Sequence, residues 1–287
     1  MLKKPFFSIV TPTLNEEKYL PLLLEDLAKQ TCTDFEVIHV DGNSEDQTVK
    51  KAGEWKRKIF LKTEKTKIRN VAFQRNLGAD KARGKWVIFM DADNRLPNYF
   101  LQGLKYQIDK NPDVGVFTTW IQVEKDLPLG KTMESAINLG YEVYSLIGKD
   151  GALGALIGAK AEVVKKIKFR EKAQIFEDSF FVQDAEKLGY KFQIFKEPRY
   201  FFSLRRVKKE GSLKMFNIVA KAQINYILLG KNFEKDNHGY VMKGGGYYDE
   251  QSPSPLKNLQ SFIEKASRDQ LTRAKKLLKN IQNQLEI

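Results

Sequence analysis

The stretch Trp86-Val87-Ile88-Phe89-Met90-Asp91-Ala92-Asp93 decides the fold prediction, because an apolar run typical of a buried strand ends in two aspartates. Side chains at such a strand end project into the crevice where α/β proteins bind ligands. In extended backbone, residues separated by one position share a face, about 6–7 Å apart at Cα. Two carboxylates that close repel each other, which favours a hard divalent ion shared with phosphate oxygens. The structural alternative is a polar turn in which Asp93 and Asn94 cap the next helix.

Strand-like and helix-like stretches alternate through the first hundred residues. Apolar, β-prone runs occur at 6–10, 35–40, 59–61 and 86–90, with helix-like periodic stretches at 20–27, 48–55 and 71–82. This alternation predicts an α/β fold, an open, mostly parallel sheet flanked by helices. Parallel strands place their carboxyl ends at one edge, so the polar residues that follow three of these strands should converge on one site. They are Thr13, Asn15 and Glu16, then Asp41, Asn43, Ser44 and Asp46, and finally Asp91 and Asp93.

The pattern is looser after Asn94. Helices are predicted at 99–108, 133–147, 161–167 and 177–188, and strands at 114–123, 192–195 and 200–204. A glycine-rich stretch at 151–158 reads as a loop that enters a strand. We predict one α/β domain over 1–212 and a basic helical appendix over 213–287, in which a Gly/Pro-rich linker precedes a helix at 256–285. This appendix is expected to contact a membrane surface, the body of the protein or a second copy.

Composition excludes several classes of protein. The 287 residues, 42% of them hydrophobic, are enough to bury a sizeable core. The single cysteine, Cys32, excludes an internal disulfide and a thiolate metal cluster, which suits a reducing, cytoplasmic location. No run of about 18 apolar residues predicts a membrane-spanning helix, and the apolar run near the start is too short for a signal peptide.

The formal net charge of +13 indicates attraction to polyanions such as phosphorylated substrates, anionic lipids or nucleic acid. Sixteen of the lysines and arginines but only eight acidic residues lie between 205 and 287. Lysines alternate with apolar residues at 214–231, as in helices that lie in a membrane interface. We therefore expect peripheral membrane association, against the alternative of a basic surface kept for solubility.

Four motifs occur in a recognisable order. They are the stretches 8–16 and 40–48, the block Arg75-Asn76-x-Gly78 with Ala82-Arg83-Gly84-Lys85-Trp86 leading into Asp91-Ala92-Asp93, and Glu177-Asp178 with Lys187-Leu188-Gly189-Tyr190-Lys191. In these motifs, over about residues 6–206, the chain resembles the inverting family 2 glycosyltransferases with the GT-A fold. The resemblance implies an enzyme that moves a sugar from a nucleotide-sugar, expected to be a UDP-sugar, to a glycan or a lipid-linked acceptor.

The resemblance also implies roles for individual residues. Asp93 would ligate Mn²⁺ or Mg²⁺, and Asp91 would meet the ribose or a metal-bound water. Asp178 would be the general base, and Asp41 would recognise the nucleotide base. A cation would neutralise the charge that develops on the leaving diphosphate. The remaining nucleotide-binding candidates are Thr11, Pro12, Thr13, Glu16, Asn43, Ser44, Arg75, Arg205 and Arg206.

Each of these assignments has a structural alternative. Asp41 could form the turn before Gly42, and Glu16 and the pair Glu177-Asp178 could complement helix dipoles. Arg75 could orient the nucleotide, pair with Asp91 or simply lie exposed on a helix. Arg205-Arg206 could clamp a phosphate or form a solvated basic turn. Val207 stands where some family members place a tryptophan after the arginine, so a processive polymer synthase is not expected.

Three other functions are alternatives to a glycosyltransferase. A sugar-nucleotide pyrophosphorylase would need a Gly-rich basic phosphate loop, which the stretch 11–15 does not offer. A nucleic-acid-binding protein would not place acidic groups where the phosphate backbone must approach, so no nucleic-acid partner is expected. A catalytically inactive nucleotide-sugar-binding protein remains an alternative. His39 and His238 do not have a metal-ligand spacing, and a structural or surface role is expected for both.

Overall fold

The computed structural model describes residues 4–123, 130–146, 151–152, 155–173, 176–205, 209 and 245–248. The strands are β1 (Phe7–Thr13), β2 (Phe35–Asp41), β3 (Leu61–Lys65), β4 (Trp86–Met90), β5 (Val114–Gln122), β6 (Leu156–Lys160) and β7 (Lys191–Phe201). The helices are α1 (Leu20–Ala28), α2 (Thr48–Gly53), α3 (Val71–Lys81), α4 (Phe100–Lys110), α5 (Gly130–Leu146), α6 (Ala161–Lys166) and α7 (Glu177–Lys187). A 3-10 turn at Glu54–Arg57 follows α2, and Gly245–Tyr248 forms one further helical turn.

One seven-stranded sheet has the order β3-β2-β1-β4-β6-β5-β7. The four strands β3, β2, β1 and β4 run parallel, with Thr13 beside Asp41 at the end of their ladder. The strand β6 runs antiparallel between β4 and β5, and β7 is parallel to β5. The predicted mostly parallel sheet flanked by helices is therefore confirmed, and the carboxyl ends of β1, β2 and β4 meet at one edge as expected.

Helices cover both faces of the sheet. All seven residues of β1 and all five of β4 are therefore buried. On one face, leucines of α1 and Phe100 of α4 pack with Phe7 and Ile88. On the other face, Val10 and Phe89 pack with residues of α3, α6 and α7. The site at the carboxyl edge is thus built on strands that packing holds from two sides.

Gly78 allows α3 to lie directly on β1. A Cβ at this position would lie 2.3 Å from Cγ1 of Val10, so any side chain would push the helix away from the sheet. The amino terminus of α3 is capped by Asn70, whose side chain accepts a hydrogen bond of 2.9 Å from the Phe73 N–H. Close packing and capping together fix Arg75, which lies one turn before Gly78.

Three strands differ from their predicted bounds. The strand β1 continues to Thr13, although the stretch from Thr11 was predicted as a loop. Its pairing with β4 ends at Val10, so Pro12 has a neighbouring strand on one side only, where a missing N–H is tolerated. The edge strand β3 lies later than predicted, because its half-exposed residues are charged rather than apolar. Two strands were predicted at 192–195 and 200–204, but β7 is continuous, and its Pro198 is accommodated because β7 is also an edge strand.

Several predictions lie outside the described residues. They concern the glycine/proline-rich linker apart from Gly245–Tyr248, the helix at 256–285, and the alternation of lysines and apolar residues at 214–231. The boundary between 212 and 213 also falls there. In the part of the chain that is described, no helix combines the length and the apolar character needed to cross a membrane.

Candidate functional site

Asp91 and Asp93 follow β4 in a turn rather than in extended backbone, so the expected strand-like geometry of this pair is wrong. The Asn94 N–H donates to the Asp91 carbonyl oxygen at 3.3 Å, and the Asn94 side-chain amide donates to the Ala155 carbonyl oxygen at 2.6 Å. These bonds turn the chain at once after Met90. The two carboxylates still influence each other, since Asp93 contributes to the raised pKa of Asp91.

Arg75 joins three elements at this edge. Its Nη2 lies 3.2 Å from Oδ1 of Asp91, and its Nη1 lies 3.0 Å from Oε1 of Glu177 at the start of α7. The Arg75 side chain is only 2% exposed, so the alternative of an exposed helix-surface arginine is wrong, and the predicted pairing with Asp91 is observed. The buried guanidinium, paired with the buried Glu177 and the partly exposed Asp91, joins the turn after β4 to α7.

The surroundings of Asp91 disfavour its charged form. Desolvation raises the pKa of its carboxyl to about 6, Arg75 opposes this shift, and the charge of Asp93 adds to it. The Asp91 carboxyl is therefore easier to protonate than an ordinary aspartate, although Arg75 stabilises its charged form.

Arg205 joins the loop after β1 to the turn after β4. Its Nη2 lies 2.9 Å from Oε1 of Glu16 and 2.9 Å from Oδ2 of Asp93, and its guanidinium stacks 3.9 Å from the Tyr19 ring centroid. Although Arg205 is largely buried, the charges of Asp93 and Glu16 raise its pKa further above the ordinary value. Glu16 and Asp93 therefore lie close together, as the convergence of the strand ends predicts. Arg205 lies between them and is only 11% exposed, so the alternative of a solvated basic turn is wrong for this residue, while Arg206 lies outside the described residues.

The end of β2 forms one wall of a cavity of about 640 Å³. Asp41 is buried there: its Oδ2 accepts from the Ser44 N–H at 3.0 Å, and its Oδ1 accepts from the Thr13 hydroxyl at 3.3 Å. These bonds support the turn-forming role of Asp41, yet its side chain also lines the cavity. The full lining is Asp41, Asn43, Ser44, Asp46, Val49, Lys50, Lys65, Thr66 and Lys67.

The loops after β1 and β2 hold each other. The Asn15 N–H donates to the Ser44 hydroxyl at 2.9 Å, and the Asn15 side chain accepts from the Glu45 N–H at 2.8 Å. Asn15 and Asn43 both adopt positive φ, at 56° and 67°, a conformation that asparagine tolerates. In β1 itself, Thr11, Pro12 and Thr13 are buried, so this part of the predicted nucleotide loop contributes mainly a rigid floor.

His39 is a structural residue, as expected. Its ring is fully buried between the hydroxyls of Thr13 and Thr63, at 2.8 and 3.3 Å. Desolvation lowers the pKa of His39 to about 4, although the nearby Asp41 opposes the shift.

The low pKa of His39 predicts a loss of folding stability in acid. The unfolded chain takes up a proton on this residue near pH 6.5 and the folded chain only near pH 4, so stability is complete above 6.5 and falls as the pH drops. The expected loss is about 3 kcal/mol between about pH 7.5 and about pH 4. Urea unfolding of wild type and His39→Asn measures this, since the variant lacks that component while all carboxylates remain. An equal pH dependence in both proteins would contradict it.

Asp178 lies in the first turn of α7, half-buried. Its Oδ1 accepts from the Ser179 N–H at 2.7 Å, and its charge helps to raise the pKa of Arg75, so it belongs to the same group of charges. The residue before α7, Phe176, adopts a φ of 64°, which is strained for an aromatic residue and marks a sharp entry into the helix. Asp184, farther along α7, accepts three hydrogen bonds from Arg170 and one from Lys187 and is structural.

The donor groups at this edge fit a divalent cation that is shared with a ligand. Among the described residues, no group of three His, Cys, Asp or Glu side chains is arranged to hold a metal by itself. Mg²⁺ and similar ions are commonly held by one or two carboxylates together with substrate phosphates, and Asp93 with Asp91 supplies that number. The raised pKa of Asp91 agrees with this donor set.

Sequence reasoning missed several contacts. Glu177 was considered only together with Asp178, but its buried pairing with Arg75 is a separate role. The packing of Tyr19 under Arg205 and the contribution of Lys65 and Lys67 to the cavity wall had no signal in the sequence. Gly245 donates its N–H to the Leu14 carbonyl oxygen at 2.8 Å, and the run of three glycines could have indicated such a close approach.

Comparison with known proteins gives concordant matches. The sequence model of a family described as glycosyl transferase family 2 matches residues 8–150. A PGL/p-HBAD biosynthesis glycosyltransferase of Mycobacterium bovis is 39% identical over 94 residues, which cover 32% of this chain and 37% of that protein. The chain thus spans little more than a third of that relative. An uncharacterised glycosyltransferase of Methanocaldococcus jannaschii is 29% identical over 228 residues, which cover 73% of this chain and 77% of that protein.

Solved structures share the fold. The mannosyltransferase PcManGT of Pyrobaculum calidifontis, in complex with GDP-Man and Mn²⁺, aligns with a TM-score of 0.62 at 18% identity, over 92% of this chain and 71% of that chain. TarS 1-349 of S. aureus, in complex with UDP-GlcNAc, aligns with a TM-score of 0.56 at 25% identity, over 69% of this chain and 58% of that chain.

Proposed function

Because the chain belongs to glycosyl transferase family 2 through residues 8–150, we propose that it transfers a sugar from a UDP-sugar to an acceptor with inversion at the anomeric carbon, assisted by a divalent metal. The observation that carries this proposal is the meeting of Asp91, Asp93 and Glu16 at one sheet edge, where Arg75 and Arg205 hold them. Arg75 also binds Glu177, the neighbour of Asp178. The GT-A fold of the sheet places this edge where ligands of α/β proteins bind.

The cavity beside β2 is proposed to take the nucleoside. Asp41 can accept a hydrogen bond from the N–H of a uracil ring, and Asn43 and Ser44 line the same space. One of the structural relatives is in complex with UDP-GlcNAc and the other with GDP-Man. A uracil N–H and a guanine N–H offer Asp41 the same partner, so the donor base is best decided by direct binding.

Asp93, with Asp91 beside it, is proposed to hold Mn²⁺ or Mg²⁺. When bound, such a cation neutralises charge on the leaving diphosphate. Arg75 keeps Asp91 in place through the pair at 3.2 Å, and Arg205 offers a guanidinium fork that matches phosphate oxygens. Glu16 is proposed to bind the ribose hydroxyls. These residues orient the donor so that its anomeric carbon faces α7.

Asp178 is proposed as the general base. It would take the proton of the acceptor hydroxyl as that oxygen attacks the anomeric carbon from the side opposite the diphosphate, which inverts the configuration. The neighbouring Glu177 is bound to Arg75 at 3.0 Å and is therefore committed to structure, whereas Asp178 lies half-buried at the start of the helix. The acceptor is proposed to be a glycan or a lipid-linked molecule, with the basic region 213–287 contacting an anionic surface.

Titration of the full chain with UDP and with GDP, each with Mn²⁺ and with a chelator, tests the donor proposal. Asp93→Ala is expected to weaken metal-dependent nucleotide binding at least about tenfold, about 1.4 kcal/mol, because it removes the proposed ligand. The chelator should have no further effect on this variant. The control is Asp80→Ala, since Asp80 is an exposed aspartate on α3 paired with Lys168. Equal affinity of wild type with and without chelator would count against the metal.

A catalytically inactive nucleotide-sugar-binding protein would bind the same nucleotides. Incubation with a UDP-sugar, Mn²⁺ and a lipid-linked or glycan acceptor separates the two functions, because only the transferase releases UDP. Release that depends on the acceptor supports the transferase, and binding without any release favours the inactive protein.

A further inference from the structure

Arg205 occupies the space between the two acidic loops of the site. Its Nη2 is shared between Oε1 of Glu16 and Oδ2 of Asp93, each at 2.9 Å, and its Nε donates to the same Asp93 oxygen at 3.0 Å. The side chain is only 11% exposed. Glu16 and Asp93 lie in loops that follow different strands, so this single cation holds both ends of the proposed donor site.

Two further contacts fix the guanidinium in this position. The Tyr19 ring stacks against it, with its centroid 3.9 Å from Cζ of Arg205. The second contact is with Glu16, which binds Arg205: Gly245 lies so close to Glu16 that a Cβ would come within 2.3 Å of its carboxyl group. The Gly245 N–H is bound to the Leu14 carbonyl oxygen, which keeps this glycine on the loop after β1. Contacts of Tyr19 with Arg205 and of Gly245 with Glu16 therefore hold the guanidinium in this position.

The charges at this edge leave room for one more cation. Arg75 and Arg205 provide two positive charges against the carboxylates of Glu16, Asp91, Asp93 and Glu177. However, the Asp93 oxygen that accepts from Arg205 cannot offer the same lone pairs to a metal. A metal that arrives alone must either bind this carboxylate beside the positive guanidinium, which repels it, or displace the guanidinium, which would then lose its charge-assisted hydrogen bonds in a largely buried place.

We propose that Arg205 stands in the cation position of the donor site until a nucleotide diphosphate arrives, so that metal and diphosphate bind together and metal alone binds weakly. The inference rests on the proposed function. Diphosphate oxygens match the guanidinium fork better than two separate carboxylates do, so Arg205 can pass from Glu16 and Asp93 to the diphosphate. This movement leaves the Asp93 carboxylate to the metal and the Glu16 carboxylate to the ribose.

Binding of Mn²⁺ to the full chain, followed by the electron paramagnetic resonance of free Mn²⁺, tests the proposal without a turnover assay. In wild type, saturating UDP is expected to tighten Mn²⁺ binding at least about 100-fold, and by reciprocity Mn²⁺ tightens UDP binding by the same factor. In Arg205→Gln, nucleotide-free Mn²⁺ binding should tighten about tenfold because a competing positive charge is gone. The factor by which UDP and Mn²⁺ tighten each other's binding should then shrink, because nucleotide-free Mn²⁺ binding is already tighter. The affinity for UDP in the presence of chelator should fall, because the guanidinium that contacts the diphosphate is gone. GDP is tested in parallel.

Arg170→Gln is the matched control. Arg170 likewise donates hydrogen bonds to an aspartate, three of them to Asp184, and stacks on a ring, that of Phe180 at 4.6 Å. No contact between Arg170 and Glu16 or Asp93 is present among the described residues. Its Mn²⁺ binding should equal that of wild type. Arg205→Lys keeps the charge without the fork and should fall between wild type and Arg205→Gln. This second variant and the wild-type titrations decide the question if Arg205→Gln does not fold.

The outcomes separate the two proposals. Unchanged or weaker nucleotide-free Mn²⁺ binding by folded Arg205→Gln overturns the role of Arg205, and so does tight Mn²⁺ binding by wild type without nucleotide. Either result leaves the proposed function in place. Failure of wild type to bind UDP or GDP in the presence of Mn²⁺ overturns both proposals.

Discussion

Asp178→Asn is expected to lower the turnover number by about 100- to 10,000-fold while nucleotide affinity changes by less than about twofold. Asparagine has nearly the same shape and can still accept the Ser179 N–H bond at 2.7 Å, so the start of α7 should be preserved. It cannot take a proton from an acceptor hydroxyl. The measurement is UDP release with saturating donor and acceptor, together with the dissociation constant of UDP and Mn²⁺.

The control for this experiment lies on the same helix. Asp184→Asn removes a carboxylate of α7 that is paired with Arg170 and is remote from Asp91 in the network of ion pairs. Its turnover should remain within about threefold of wild type, because it takes no part in proton transfer. Normal turnover by Asp178→Asn would remove that residue from its role. A loss in nucleotide affinity equal to the loss in turnover would make Asp178 a donor-binding residue instead.

Arg75→Leu is expected to destabilise the fold by about 3–5 kcal/mol, because it leaves Glu177 and Asp91 without their shared cation. The Arg75 side chain is 2% exposed and that of Glu177 is 9% exposed, so water cannot replace the partner that Glu177 loses. The Asp91 side chain is 37% exposed, so the expected loss comes mainly from Glu177. Urea unfolding measures the change. The double variant Arg75→Leu/Glu177→Gln should recover part of the loss, because the uncompensated charge of Glu177 is then removed.

Lys191→Gln is the control for Arg75→Leu. Lys191 pairs with Asp113, but both side chains are more than half exposed, at 51% and 60%, so water and salt substitute for the contact. The free energy of unfolding should stay the same within the error of the measurement. A loss below about 1 kcal/mol in Arg75→Leu would show that the buried network is not needed for folding.

The central strands were predictable because their sequences carry local signals. The strand β4 has the predicted bounds, since five consecutive buried residues read as a strand that helices cover on both faces. The edge strands β3 and β7 were less predictable. Their residues alternate between the core and solvent, and tolerance of Pro198 depends on which neighbours pair with the strand, which is set by the whole sheet.

The candidate site was predictable in its members and only partly in its contacts. The parallel arrangement brings the ends of β1, β2 and β4 together, which is why Glu16, Asp41 and Asp93 could be grouped in advance. Arg205 lies 189 positions from Glu16 and 112 from Asp93, and no local pattern indicates which carboxylates it will bind. Likewise, the turn at Asp91–Asp93 depends on a bond to Ala155, 61 positions from Asn94.

The antiparallel strand β6 divides the sheet into two halves that come from different parts of the chain. The parallel half, β3-β2-β1-β4, comes from one uninterrupted stretch between Phe7 and Met90, whereas β5, β6 and β7 are contributed by everything that follows. Substitutions in β5, β6 and β7 can therefore change the surface that faces α7 without changing the cavity beside β2. Arg75 belongs to the earlier part of the chain and Glu177 to the later part, so their ion pair joins the two halves. Any exchange of one half between related enzymes would have to keep both residues.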